Sequence, residues 1–342
     1  MVSVIIPNKN EEELIYEVVE NYYYGLNPKD FEIIIVNDGS VHPDGKFKFI
    51  SSDVFHQKNV RVENYKIQKG VGYAFDLGVR VAKGDIIVLS GADVFPRKET
   101  WLNDVRQAVK SNKETLGCAI SLGLNPKTRD LDNKDIRKRY GADILPQVDV
   151  NDLPLKSRLR IDRPDYTALF EARWRYGDET FGVTEIPCAL GAFYFTSKDY
   201  YNKIGGWDTI TNRRFQGHMY WGSLEPFISL KSWLYGGGVT LYPEIEVGHV
   251  FGRISKKGRF NKRAHRPQFH WWNRLWIVET MVLDEKQRKL LLDYPNSELN
   301  FGVAKKYIKQ NYSNIIEQRE YNEKHFINSF SWFCEKFDIK LR

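Results

Sequence analysis

Three features of the chain predict an α/β fold around a largely parallel sheet. Residues 33–36, within a strand-like segment 31–36, and 86–89 are apolar runs without alternation, as in strands buried on both faces. Between strand-like segments lie stretches with helical spacing of apolar residues, so strand, crossover and strand follow one another as in a right-handed βαβ unit. The 86–89 run leads at once into Ser90-Gly91-Ala92-Asp93, which delivers a carboxylate to the carboxyl edge of the sheet, where open α/β folds collect ligands.

Residues 2–7 read as the first strand and 8–11 as the loop after it. Over 12–24, Leu14, Ile15, Val18, Val19 and Tyr22 form one helical stripe, ended by Gly25 and Pro28. The second strand, 31–36, turns out through Asn37-Asp38-Gly39-Ser40. The segment 41–59 carries weak signals, with a helix expected near 46–51; 60–67 alternates and gives a third strand. Gly70 and Gly72 open a helix that ends near Lys83-Gly84, and such an opening can admit a phosphate. It is not a GxGxxG motif and lies between later strands, which argues against a dinucleotide site. Residues 101–110 read as helix. From 125 to 165 the chain is polar, charged and broken by Pro146, Pro154 and Pro164, the pattern of a mobile loop or interdomain excursion. Strand character returns over 186–195. A short helix over 199–204 is stopped by Gly205-Gly206. A further helix is expected over 225–235, then strands over 239–243 and 246–251, and helices through 278–342.

The chain has 342 residues, 42% hydrophobic and 28% charged, enough for a sizeable core and unlike a disordered composition. A net charge of +7 favours phosphorylated ligands, nucleic acid or anionic membrane without choosing among them. Aromatic residues reach 14%, common in proteins that stack on sugars or bases. Cys118, Cys188 and Cys334 are too few and scattered for a disulfide framework or zinc cluster. No run approaches a membrane span and no basic leader precedes the first strand, so a cytoplasmic location is expected, with peripheral membrane contact left open.

Several motifs in order resemble a known family. Strand-Pro-x-x-Asn-Glu, strand-Asn-Asp-Gly-Ser, Gly-x-x-x-Ala-x-x-x-Gly before Ala-x-Gly-Asp, and Gly-Ala-Asp look like the nucleotide-sugar half of a GT-A glycosyltransferase of the family 2 type. The second half is similar to polypeptide N-acetylgalactosaminyltransferases, with Trp221-Gly222, Trp233, Tyr235-Gly236-Gly237 and Val247-Gly248-His249-Val250-Phe251 in sequence. The resemblance covers residues 2–253. It implies a GT-A, Rossmann-like sheet, a UDP-sugar donor, a divalent metal, Mn²⁺ or Mg²⁺, and a glycan, protein or small-molecule acceptor. It divides 1–253 into a nucleotide-binding half, 1–97, and an acceptor and catalytic half, 98–253; a basic, aromatic and helical extension, 254–342, follows.

The resemblance implies site residues one by one. Pro7, Asn10 and Glu11 match the first nucleotide-contacting loop, and Asn10 also suits a helix cap. Asp38 matches the carboxylate that reads uracil or ribose; Asp-Gly-Ser is equally a common turn. Gly70 lies at the donor phosphates. Asp93 and His249 match metal ligands, although the usual Asp-x-Asp is here Gly91-Ala92-Asp93. One or two protein carboxylates with diphosphate oxygens and water suffice for such ions. Arg253, Lys256 or Lys257 can assist at the diphosphate. Glu225 falls where inverting members carry the Asp of a Glu-Asp pair, with Leu224 at the first acidic position; this favours inversion with Glu225 as general base. Pro226 makes a helix-start role for Glu225 the plain alternative. Trp207 and Asp208 match the acceptor-side segment, with Trp207 either stacked on a sugar or packed under the catalytic helix.

Residues 254–276 hold seven Lys or Arg and no acid, interleaved with Phe260, Phe269, Trp271, Trp272 and Trp276. Three readings stay open: a lid over the donor, a polyanion surface for a nucleic-acid acceptor, or an amphipathic connector with a solvated basic face. A catalytically degenerate fold that binds nucleotide or polyanion is the non-enzymatic alternative.

Overall fold

The computed structural model describes residues 1–56, 58–132, 137–149, 167–177, 182–208, 222–251, 267–294 and 299–341. The first half alternates strand and helix: β1 (Val2–Asn8), α1 (Glu12–Tyr23), β2 (Phe31–Asp38), β3 (Val60–Tyr65), α2 (Val71–Val81), β4 (Ile86–Ser90), β5 (Val94–Pro96), α3 (Trp101–Ser111) and β6 (Leu116–Gly123). Next come β7 (Lys138–Asp149), β8 (Thr167–Gly177), β9 (Thr184–Glu185), β10 (Phe193–Ser197), α4 (Lys198–Ile204), α5 (Leu224–Leu234) and β11 (Val239–His249). The chain closes with helices α6 (Pro267–Met281), α7 (Glu285–Leu292), α8 (Leu299–Gln310), α9 (Tyr312–His325) and α10 (Phe330–Lys336).

Among the described residues the strands form one sheet of 11, with the path β3-β2-β1-β4-β10-β6-β11-β5. β3, β2, β1 and β4 are parallel, so their carboxyl ends share one edge. Past β4 the sheet is mixed: β10 runs antiparallel between β4 and β6, and β11 is parallel to β6 and antiparallel to β5. The unalternating strands are buried on both faces because helices cover both. Val4, Ile6, Ile33, Ile35 and Val88 face α1 and α3, while Ile5, Ile34, Ile87 and Leu89 face α2. A Cβ at Gly78 of α2 would collide with Ile5, so glycine sets the close approach of that helix to β1.

Several expectations are corrected. The segment near 46–51 is not helical; it makes a bridge between Val41 and Phe47, and a short 3₁₀ turn follows at Ser52–Phe55, where Ser51 Oγ accepts Asp53 N–H at 3.2 Å. Asn10 does not cap α1: it adopts φ 57°, and Glu11 stands at the N-cap without a side-chain bond. The polar stretch 125–165 contains a 12-residue strand, β7, whose buried Tyr140, Ala142, Ile144 and Val148 supply a core face and whose partner is the antiparallel β8. Pro146 is tolerated there because β7 meets β6 only at Arg139, leaving that side an edge. The two strands expected over 239–251 are one, β11, with a register shift between Tyr242 and Glu246.

The 254–276 segment is corrected over its second half. Trp271, Trp272 and Trp276 are 2%, 5% and 0% exposed and pack in the core as part of α6, because a helix that lies against others buries rings rather than offering them to bases. Arg253, Lys256, Lys257 and Phe260 lie outside the described residues, as does Trp221. Helices α6 to α10 contribute Leu275, Phe301, Ile308, Ile315 and Phe333 to the same hydrophobic cluster as the α2 face of the sheet. No helix among the described residues is long and apolar enough to cross a membrane.

Candidate active site

The carboxyl edge of the parallel strands gathers the loops after β1, β2 and β4. Asn8 and Asn37 are in register there. Ser40 ties the loops: its Oγ accepts from Asn8 Nδ2 at 3.3 Å and from Asn10 N–H at 2.9 Å, while Asn10 Oδ1 accepts Val41 N–H at 2.8 Å. Pro7 and Glu11 flank this knot, partly buried. Asp38, 5% exposed, accepts Lys69 N–H at 2.7 Å and Gly70 N–H at 2.8 Å. Burial raises its pKa against these bonds and the nearby Lys9 and Lys69 charges. The Lys69 and Gly70 amides both bond Asp38, and Gly70 at φ 111° turns the loop into α2.

The fold brings Asp93 and His249 together from distant parts of the sequence. β5 pairs antiparallel with β11, setting His249 opposite Val94, and Asp93 Oδ2 lies 3.4 Å from His249 Nε2. Both side chains are about equally open, 15% and 16% exposed. The His249 ring rests 4.0 Å from Phe251, whose own ring carries the Arg139 guanidinium at 4.2 Å. Two donor atoms at this separation suit neighbouring positions of an octahedral shell, about 3 Å apart when each bond is about 2.1 Å. An oxygen and an imidazole nitrogen match Mn²⁺ better than Mg²⁺. Among the described residues no group of three or more His, Cys, Asp or Glu can hold a metal, so the pair suits an ion that arrives with oxygen ligands of its own. His249 Nδ1 is buried without a hydrogen-bond partner.

Gly91 leaves room for the Asp93 carboxylate in its present orientation. A Cβ at Gly91 would stand 2.7 Å from Asp93 Oδ1 and 3.2 Å from the Ala192 Cβ. A carboxylate at position 91 therefore does not fit beside Asp93 as it is oriented here.

Glu225 opens α5, partly exposed, with its carboxylate desolvated. Burial raises its pKa; its own backbone N–H, the Tyr194 hydroxyl and the charge of His249 pull the other way. Tyr194 Oη donates to Glu225 Oε1 at 3.4 Å and accepts Ala192 N–H at 3.0 Å.

Trp207 takes the second of its two expected places, packed beneath α5, and Asp208 lies in a buried ion pair. Trp207 is 1% exposed, stacks on Phe75 at 4.9 Å and donates from Nε1 to Leu224 O at 3.2 Å. Asp208 accepts from Lys231 Nζ at 2.7 Å, an ion pair with side chains 4% and 0% exposed. Lys231 also donates to Gly206 O at 3.0 Å. Sequence reading missed Ser40, Tyr194 and Lys231, because a hydroxyl or lysine gains such a role only from neighbours distant in the chain.

Comparisons with known proteins agree with this architecture. Residues 3–149 match the family described as Glycosyl transferase family 2. Polypeptide N-acetylgalactosaminyltransferase 8 of Drosophila melanogaster is 23% identical over 340 residues, 98% of this chain and 50% of that protein. A Methanococcus voltae dolichyl N-acetyl-alpha-D-glucosaminyl phosphate 3-beta-D-2,3-diacetamido-2,3-dideoxy-beta-D-glucuronosyltransferase is 32% identical over 120 residues, 33% of this chain and 35% of that one. The crystal structure of GalNAc-T7 with UDP, GalNAc and Mn²⁺ superposes with a TM-score of 0.65 at 16% identity, over 99% of this chain and 57% of that one. The chain spans half or less of the length of these two curated relatives.

Proposed function

We propose, for a chain of GT-A fold whose residues 3–149 carry a family 2 glycosyl transferase domain, that it transfers a sugar from a UDP-sugar to an acceptor hydroxyl with inversion, Glu225 acting as general base. The observation that carries this reading is the Asp93–His249 pair, 3.4 Å apart at the sheet edge, together with a largely buried Glu225 at the start of α5 whose carboxylate accepts from Tyr194.

On the donor side, Asp38 reads uracil or ribose, because each oxygen bonded to a loop amide keeps a second lone pair. Pro7, Asn10 and Glu11 frame the base, and Gly70 holds Asp38 in place. Asp93 and His249 hold Mn²⁺, which when bound neutralises charge developing on the departing diphosphate. Arg253 adds a cation there. On the acceptor side, Glu225 Oε takes the hydroxyl proton while the acceptor oxygen bonds to the anomeric carbon and the bond from that carbon to the UDP oxygen breaks. Tyr194 holds Oε1, leaving Oε2 to face the acceptor. The acceptor is a glycan, protein or small molecule; Trp271, Trp272 and Trp276 lie in the core and offer no ring to a nucleic acid.

The test is calorimetric titration with UDP and a panel of UDP-sugars, each with Mn²⁺ and with chelator. Micromolar, Mn²⁺-dependent binding that Asp93→Ala abolishes supports the donor site; unchanged UDP affinity in Asp93→Ala removes Asp93 from it. Glu225→Gln is expected to keep donor binding and lose about 10²-fold or more in transfer. Near-normal turnover removes Glu225 from the mechanism.

A further inference from the structure

α6 meets the start of α5 at a turn that no single-residue propensity favours. Gly222 has φ 121° and Ser223, at the N-cap of α5, has φ 53°, the left-handed region. A non-glycine residue there costs about 1–3 kcal/mol and persists only where its surroundings impose it. A serine N-cap normally spends its hydroxyl on the amide two or three residues on. Here the third is Pro226, which has no N–H, and Ser223 makes no capping bond. Its Oγ instead accepts from Arg274 Nε at 2.9 Å. The neighbouring Asn273 donates from Nδ2 to Gly222 O at 2.6 Å.

Both α6 side chains are held in turn. Asn273 is 0% and Arg274 7% exposed. Arg274 Nη2 pairs with Glu171 of β8, and its guanidinium lies 5.2 Å from the Trp271 ring centre. His270 fills the space beside Gly222, where any Cβ would collide with its ring. Two residues beyond Ser223 stands Glu225.

We infer that Asn273 and Arg274 are positioning residues that brace the Gly222–Ser223 turn and so aim the Glu225 carboxylate. The inference rests on the reading of Glu225 as the base. The second half of the basic aromatic segment is, on this view, a strut. Arginine is needed because one fork reaches Ser223 and Glu171 together; a lysine is a single point charge.

Two measurements separate the brace from the base. Hydrogen exchange of the ligand-free protein reads the brace directly: in Arg274→Gln the Phe227 and Ile228 amides should exchange at least about 10-fold faster while Val88 and Leu89 do not change. Unchanged exchange at Phe227 and Ile228 overturns the brace whatever Glu225 does. Turnover of the UDP-sugar that calorimetry selects reads the consequence. Arg274→Gln should lose about 10- to 100-fold in kcat at unchanged UDP affinity with Mn²⁺, the scale of a misaimed group. Ser223→Ala should match it, the double variant should fall no further, and Arg274→Lys should not rescue. Combined with Glu225→Gln, Arg274→Gln should add no loss. A multiplicative loss in that background, or parallel loss of UDP binding, overturns the positioning role. Faster exchange with fully active Glu225→Gln leaves the brace standing and sinks the base.

Discussion

At the scale of single residues, the site is tuned by what each side chain is denied. Asp93 turns Oδ2 toward His249 Nε2 at 3.4 Å beside a glycine that has no Cβ to meet Oδ1, and His249 Nδ1 is buried without a hydrogen-bond partner. Glu225 is largely shielded from water. Because burial lifts its pKa above the ordinary 4.5, the native state holds its proton more tightly than the unfolded chain does. That contribution to stability is complete below the unfolded value and is lost as pH rises through the raised one, whereas a base works only above the raised one. The acid limb of kcat should therefore lie above pH 4.5, and Glu225→Gln should abolish it. In thermal melts the same variant should gain midpoint over the parent at pH 8 and match it at pH 4. A parent acid limb at or below 4.5 counts against a desolvated base.

At the scale of elements, α5 is the most constrained helix of the site. Its first turn is gripped by α6 through Asn273 and Arg274. Its middle is tied to the end of α4 by Lys231, which reaches Gly206 O and the Asp208 carboxylate across 3.0 and 2.7 Å. Neither partner sees solvent, so removing one leaves the other charged and buried. Lys231→Met should cost about 3–5 kcal/mol in denaturant unfolding, and Lys231→Met with Asp208→Asn, which removes the stranded charge and tolerates the left-handed backbone at φ 58°, should recover much of it. Additive losses in the double variant would mean the pair is not coupled as drawn. α2 enters the same arrangement: Asp76 accepts from Tyr201 Oη at 2.6 Å and Trp207 N–H at 3.0 Å, linking the helix after the Asp38 loop to the turn beneath α5.

At the scale of the whole molecule, the sheet carries two hydrophobic layers, and the C-terminal helices complete one of them. Phe333 of α10, 0% exposed, belongs to the cluster that also holds Ile5 and Leu89 of the first strands. Phe333→Ala should lower one cooperative calorimetric transition of the entire chain by about 3–5 kcal/mol. A separate minor transition that moves while the main one stays would show instead that residues 254–342 fold as their own unit.

Local chemistry carried much of this in legible form. The unalternating runs at 33–36 and 86–89, the stripe on α1 and the glycine stops of α4 and α5 announced their elements, since burial on two faces or one is written into residue spacing. Asp38, Asp93, Glu225 and His249 were visible as carboxylates and an imidazole at element ends. Other features depended on partners far along the chain. Whether Trp207 and Trp271 faced ligand or core, whether Gly70 offered an amide or had spent it on Asp38, and whether β7 was a strand at all were settled by neighbours outside any local window. The Asp93 and His249 contact joins residues 156 positions apart by number, and Arg274 reaches Ser223 across 51. Spacing along a chain encodes which face is apolar; only packing decides which polar atoms meet, because hydrogen bonds and ion pairs act over a few ångströms in space and carry no mark in the sequence.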